Sequence, residues 1–78
     1  MTRTVIYKGF IIQPAPRHLV EGGRWKLNLF ILWSTQNEVH SRHFYTADEF
    51  AAEDQAAVHC ISYGKLIIDG KIPGFSVG

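Results

Sequence analysis

Apolar and polar residues alternate most clearly between Trp25 and Trp33. Trp25, Leu27, Leu29, Ile31 and Trp33 fall on one face of an extended chain, and Lys26, Asn28, Phe30 and Leu32 on the other. This period of two predicts a strand over 25–33 with its first face in the core. Residues 4–13 are rich in β-branched and aromatic side chains and stop at Pro14, which has no N–H to donate and restricts the residue before it, so a strand is expected there too. Gly9 inside it marks a bulge or a close backbone approach. Pro14, Pro16 and the pair Gly22-Gly23 make 14–24 a loop. The polar stretch 34–38 suits a hairpin connection, and a third strand follows over 39–45.

Beyond residue 46 the period changes. Thr46-Ala47-Asp48-Glu49 has the form of a capping box, placing a helix start at 47; a start near Ala52 fits equally, with Glu53 and Asp54 opposing the dipole in the first turn. Ala57, Cys60, Ile61, Gly64 and Ile68 then recur at helical spacing, with Ala56 and Ile67 widening the stripe. Gly64 costs a helix about 1 kcal/mol relative to Ala, so it is expected to meet a bulky sheet residue, such as one of the tryptophans, at close range. Gly70 and Pro73 end the helix near 69, leaving 71–78 as a tail in which Ile72, Phe75 and Val77 fold back or extend to a neighbour. The expected fold is α+β: a three-stranded antiparallel meander packed on one face by a single C-terminal helix, in one domain spanning 1–78.

Size makes the second face of that sheet important. A chain of 78 residues buries only about 60% of its unfolded surface. Cys60 is its sole cysteine, which excludes an internal disulfide and a thiolate zinc site. Stability is therefore expected to come from an unusually apolar core or from a second copy, so a homodimer is anticipated. The longest apolar run, 29–33, is far below the roughly 18 residues of a membrane span, and no basic segment leads into an apolar stretch at the N-terminus. A cytoplasmic protein with no membrane partner is the expectation. Charge is uneven: residues 1–45 carry Arg3, Lys8, Arg17, Arg24, Lys26 and Arg42 against Glu21 and Glu38, a net +4, whereas residues from 46 onward carry five acids against Lys65 and Lys71, a net −3. A basic sheet and an acidic helix suit an anionic partner or head-to-tail association.

Catalytic and metal chemistry find little support. Of the histidines 18, 40, 43 and 59, His40 and His43 are three apart on a strand and point to opposite faces. Cys60 and His59 are neighbours on a helix and diverge by about 100°. The acidic pairs at 48–49 and 53–54 suit helix capping better than acid–base work, and Gly22-Gly23 lacks the spacing of a phosphate loop. No enzyme activity, metal or cofactor is expected.

One helix covers one face of the sheet, leaving the other open with Phe30 and Leu32 beside Lys26 and Asn28. Hairpin register decides the rest, because a slip of one residue flips every side chain. If Trp33 opposes Val39, the open face gains His40, Arg42 and Phe44; if it opposes Glu38, the face gains Ser41, His43 and Tyr45. The candidate interaction surface is Arg24, Lys26, Asn28, Phe30, Leu32, His40 and Arg42. It suits a second copy or another protein through Phe30 and Leu32, or nucleic acid through stacking and phosphate contacts. Alternatively, long basic stems and the tail cover the apolar atoms.

The run Tyr7-Lys8-Gly9-Phe10, with Pro14, Gly22-Gly23, Trp25, His43-Phe44, Ala47-Asp48, Phe50, Ala56 and Ile67-Ile68-Asp69-Gly70, resembles small proteobacterial proteins. More distantly, it is similar to the short HlyU-like family named after a haemolysin transcriptional activator. The resemblance spans most of the chain and implies a bacterial cytoplasmic protein with a regulatory link. It brings no catalytic or ligand residues, since its motifs are glycines, aromatics and capping residues. Three strands followed by a helix also resembles plant-type sheet-reading DNA-binding domains in architecture, although few arginines stand on this sheet.

Overall fold

In the computed structural model, which describes residues 4–77, five strand segments precede one helix: β1 (Val5–Tyr7), β2 (Phe10–Pro14), β3 (Arg17–His18), β4 (Trp25–Thr35), β5 (Glu38–Phe50) and α1 (Glu53–Ile68). The fold is α+β and every strand pairing is antiparallel. Five segments replace the three expected, for two local reasons.

Lys8 and Gly9 adopt φ 51° and 83°, so residues 4–13 fold into a β1–β2 hairpin with a two-residue turn. The chain also stays in the sheet past Pro14. Pro14 faces Leu29 and Arg17 faces Lys26 in one unbroken register, bridged by Ala15 N–H donating to Asn28 O and Leu19 N–H to Arg24 O, both at 2.8 Å. Odd-numbered residues here turn their N–H toward β4. Pro14 and Pro16 therefore occupy positions whose nitrogen points away, and neither removes a bond to β4. The expected 14–24 loop shrinks to 20–23. β2 and β3 run in tandem along one edge of β4, and β5 runs along the other.

β5 also extends where a helix was expected. Lys26 faces Glu49 but Asn28 faces Tyr45, so Thr46-Ala47-Asp48 together oppose Leu27 in a bulge. Thr46 Oγ1 donates to Asp48 Oδ2 at 2.7 Å and accepts the Asp48 N–H at 3.2 Å. Thr46 is thus engaged inside the bulge and forms no capping box. The helix starts at Glu53 behind Ala52, which makes no side-chain cap bond, with Glu53 and Asp54 in the first turn. It ends in a Schellman motif: Gly70 at φ 73° donates to Ile67 O at 3.0 Å, and Lys71 to Leu66 O at 2.9 Å.

The core lies between the sheet's Ile12, Leu27, Leu29, Ile31 and Phe44 and the helix's Ala56, Ala57, Cys60 and Ile67. Gly64 does meet a bulky sheet residue, but it is Ile12 and no tryptophan. The tail folds back: Phe75 packs on Phe44 at 5.5 Å and edge-on to Tyr63 at 5.9 Å. Helix and tail together thus cover the inner face, the tail lying over β5. The 16 Å shortest dimension accommodates one sheet and one layer upon it, and the second face of the sheet stays open.

Candidate functional site

The open face is fixed by the β4–β5 hairpin. Gln36 and Asn37, at φ 42° and 72°, make a two-residue turn that sets Thr35 against Glu38 and Trp33 against His40. β5 therefore presents Val39, Ser41, His43 and Tyr45 outward beside Lys26, Asn28, Phe30 and Leu32, with exposed Arg24 continuing the row beyond β4. Two residues of the surface read from sequence fall elsewhere. His40 and Arg42 turn to the helix side, where His40 stacks on Trp33 at 5.5 Å and Arg42 donates to Ser76 O at 2.9 Å.

Others join the face that the sequence reading left out of it. Because β2 and β3 keep a single register along β4, Ile11, Gln13 and Arg17 point outward, and Ile6 of β1 faces Ile11. The signal for Arg17 was the alternation of Pro14 and Pro16, compatible with one strand edge. Ser41, His43 and Tyr45 are the outward set of the second hairpin alternative, and the signal that favours it is Asn37, a residue that tolerates the left-handed turn conformation.

At one end of the face, side chains form an aromatic row. Phe30 and His43, directly opposed, stack at 4.8 Å with 23° between rings, and His43 tilts against Tyr45 at 5.4 Å. Asn28 fixes the imidazole. Its Nδ2 donates to Ala15 O at 3.0 Å, so its Oδ1 is left to accept from His43 Nε2–H at 2.5 Å. Nε2 thus carries a proton directed at Asn28. Beside this row Arg17 stands directly opposite Lys26, and Glu49 flanks Lys26 from β5. Arg17, Lys26, Asn28, His43, Tyr45 and Thr46 line a depression of about 180 Å³. At the other end, Ile6, Ile11 and Leu32 form an apolar cross-strand row that ends on Ser41 of β5.

This arrangement can stack a planar group and hold an anion. Elsewhere, Cys60 is buried, donates to Asn28 O at 3.3 Å, and has its thiol pKa raised by burial, which leaves it unreactive. His59 bonds Gln55 O and stacks on Phe50. Among the described residues no group of three or more His, Cys, Asp or Glu converges as a metal site, and no helix is long and apolar enough to cross a membrane.

The family model described as transcriptional activator HlyU matches residues 1–73. The chain belongs to the HlyU family. The match spans every strand and the helix, so the open face of this HlyU-family chain lies within it, while Phe75 and the end of the tail lie beyond. No curated protein and no solved structure matches the chain.

Proposed function

We propose that this HlyU-family chain is a non-enzymatic, cytoplasmic regulator of transcription that binds nucleic acid through its open sheet face. The observation that carries this reading is the row Phe30–His43–Tyr45 set beside Arg17, Arg24 and Lys26. Aromatic faces stack on bases and cations meet phosphates. The family description, transcriptional activator, supports the regulatory part. α1 is the one helix among the described residues and lies flat on the sheet, which favours contact through strands over a helix placed in the major groove. Retention on a DNA or heparin column at low salt is the test. Three phosphate contacts predict a slope of log K against log salt of about −2 for a single strand. A protein that flows through at low salt refutes the proposal.

A second reading, self-association into a homodimer, is favoured by the opposite end of the same face. Ile6 is 75% and Val39 76% exposed, flanking Ile11 and Leu32, an apolar patch suited to a second copy or another protein. Sedimentation of a monomer at micromolar concentration would remove it.

A further inference from the structure

We infer that the depression between β3, β4 and β5 is a nucleotide subsite specific for single-stranded nucleic acid, with a base stacked on Tyr45 and His43 and a backbone phosphate held by Arg17 and Lys26. This deepens the proposed function and rests on it.

Four observations converge. Arg17 and Lys26 are directly opposed across the strands, a like-charge placement that weakens a sheet unless an anion lies between them. Among the described residues neither has an ion-pair or hydrogen-bonding side-chain partner. Glu49 faces Lys26 from β5, so the anion belongs on the Arg17 side, away from that carboxylate. Next, the stacking surface is preorganised: Phe30 backs His43 on one side and the Asn28 amide fixes its ring, while Tyr45 is 66% exposed and offers an unfilled face.

Size and continuity decide between a small molecule and a polymer. At about 180 Å³ the depression falls below the ~300–1,000 Å³ of sites that enclose a whole drug-sized ligand; it takes one planar ring. A neighbouring hollow of about 310 Å³ shares His43 and Tyr45 and continues over the β5 edge to Arg42 and Phe75. The path thus runs from one cationic end, across the aromatic pair, to a third cation, as a chain of nucleotides requires. A duplex does not satisfy it, because paired bases stack on each other and keep their faces from the protein.

Fluorescence anisotropy with a labelled 12-nucleotide single-stranded DNA, its RNA equivalent and the matching duplex tests this. The single strands are expected to bind more tightly than the duplex, the two sugar types being separated by their relative affinity. Y45A should weaken single-strand binding about 5- to 150-fold, the equivalent of ~1–3 kcal/mol for one stacked base, and Y45F should retain it. The R17A/K26A double substitution should flatten the single-strand salt slope by about 0.7 per lost phosphate contact. Tyr45 and Arg17 are exposed and Lys26 is half-buried, and a circular dichroism spectrum verifies the fold of each variant. Duplex binding as tight as single-strand binding, or single-strand binding indifferent to Y45A, overturns the subsite while leaving nucleic-acid binding intact. Absence of binding to all three probes overturns both.

Discussion

Gly64 of α1 rests so closely on Ile12 of β2 that a Cβ placed on the glycine would lie 2.9 Å from Ile12 Cγ2. Ile12 is fully buried, and its Cγ2 is fixed to a branched, rotationally stiff carbon. Gly64→Ala would gain about 1 kcal/mol of helix propensity and incur about 1–3 kcal/mol of overpacking, so a net loss near 1 kcal/mol is expected. The sign should reverse in an Ile12→Ala background, where the clash is gone. Urea midpoints for the four members of this double-mutant cycle check it; equal effects of Gly64→Ala in both backgrounds would show that contact with Ile12 is not the reason for the glycine.

Five residues further along, at the C-cap of α1, Asp69 accepts from Tyr7 Oη at 2.8 Å and pairs with Lys8 at 2.5 Å, tying the β1–β2 turn to the end of α1. The bonds from Lys8 and then Tyr7 lower the Asp69 pKa, and the bond to Asp69 raises those of Lys8 and Tyr7. A depressed carboxyl contributes stability that is present above its unfolded pKa of ~3.9 and disappears as pH falls through the folded value. Raised Lys8 and Tyr7 contribute below their unfolded values near 10 and lose it as pH rises through the folded ones. Thermal midpoints of wild type and Asp69→Asn should therefore differ between about pH 5 and 9 and converge at both extremes. A gap independent of pH would remove the tie as a source of stability.

These contacts show which parts of the molecule the sequence makes legible. The alternation from Trp25 to Trp33 and the stripe from Ala56 to Ile67 each repeat one period over many residues, and both elements form, the helix from Glu53 onward. Lys8-Gly9 reads as strand interior because lysine carries no mark of a left-handed turn, so the sequence hides the β1–β2 hairpin. Thr46 to Glu49 satisfies the spacing of a capping box, but whether Thr46 caps a helix or braces a bulge depends on the tertiary pairing of Lys26 with Glu49. The site was half legible for the same reason. Side chains on β4 have one parity whatever happens around them, whereas those on β5 depend on a turn two residues long. Arg17 depends on whether two prolines leave or follow an edge.

Phe75 contacts Phe44 and Tyr63 from the tail, and Phe44 is only 5% exposed. Phe75→Ala should therefore destabilise the fold by about 1–3 kcal/mol, a half-buried fraction of the full Phe→Ala cost. Ser76→Ala, whose backbone carbonyl still accepts from Arg42, should change stability by less than about 0.5 kcal/mol. Chemical denaturation of the two variants distinguishes a tail that belongs to the core from one that merely lies over it: equal, negligible effects would mean the second.

Cys60 lies beneath the open face, on the far side of β4, with its Sγ–H directed at Asn28 O at 3.3 Å and no solvent exposure. Burial raises its pKa above that of a free thiol, so both access and thiolate fraction are low in the native state. Reaction with a disulfide reagent at pH 8 should be slow in buffer and accelerate as urea populates states in which α1 lifts from β4, in proportion to the opened fraction. Asn28→Ala keeps the backbone acceptor, so it should leave the thiol as protected as in wild type even though it frees His43. Labelling at the rate of an unstructured cysteine would mean that the helix does not hold this position closed. Faster labelling in Asn28→Ala would mean instead that the side chain joining Ala15 to His43 also secures the packing below it.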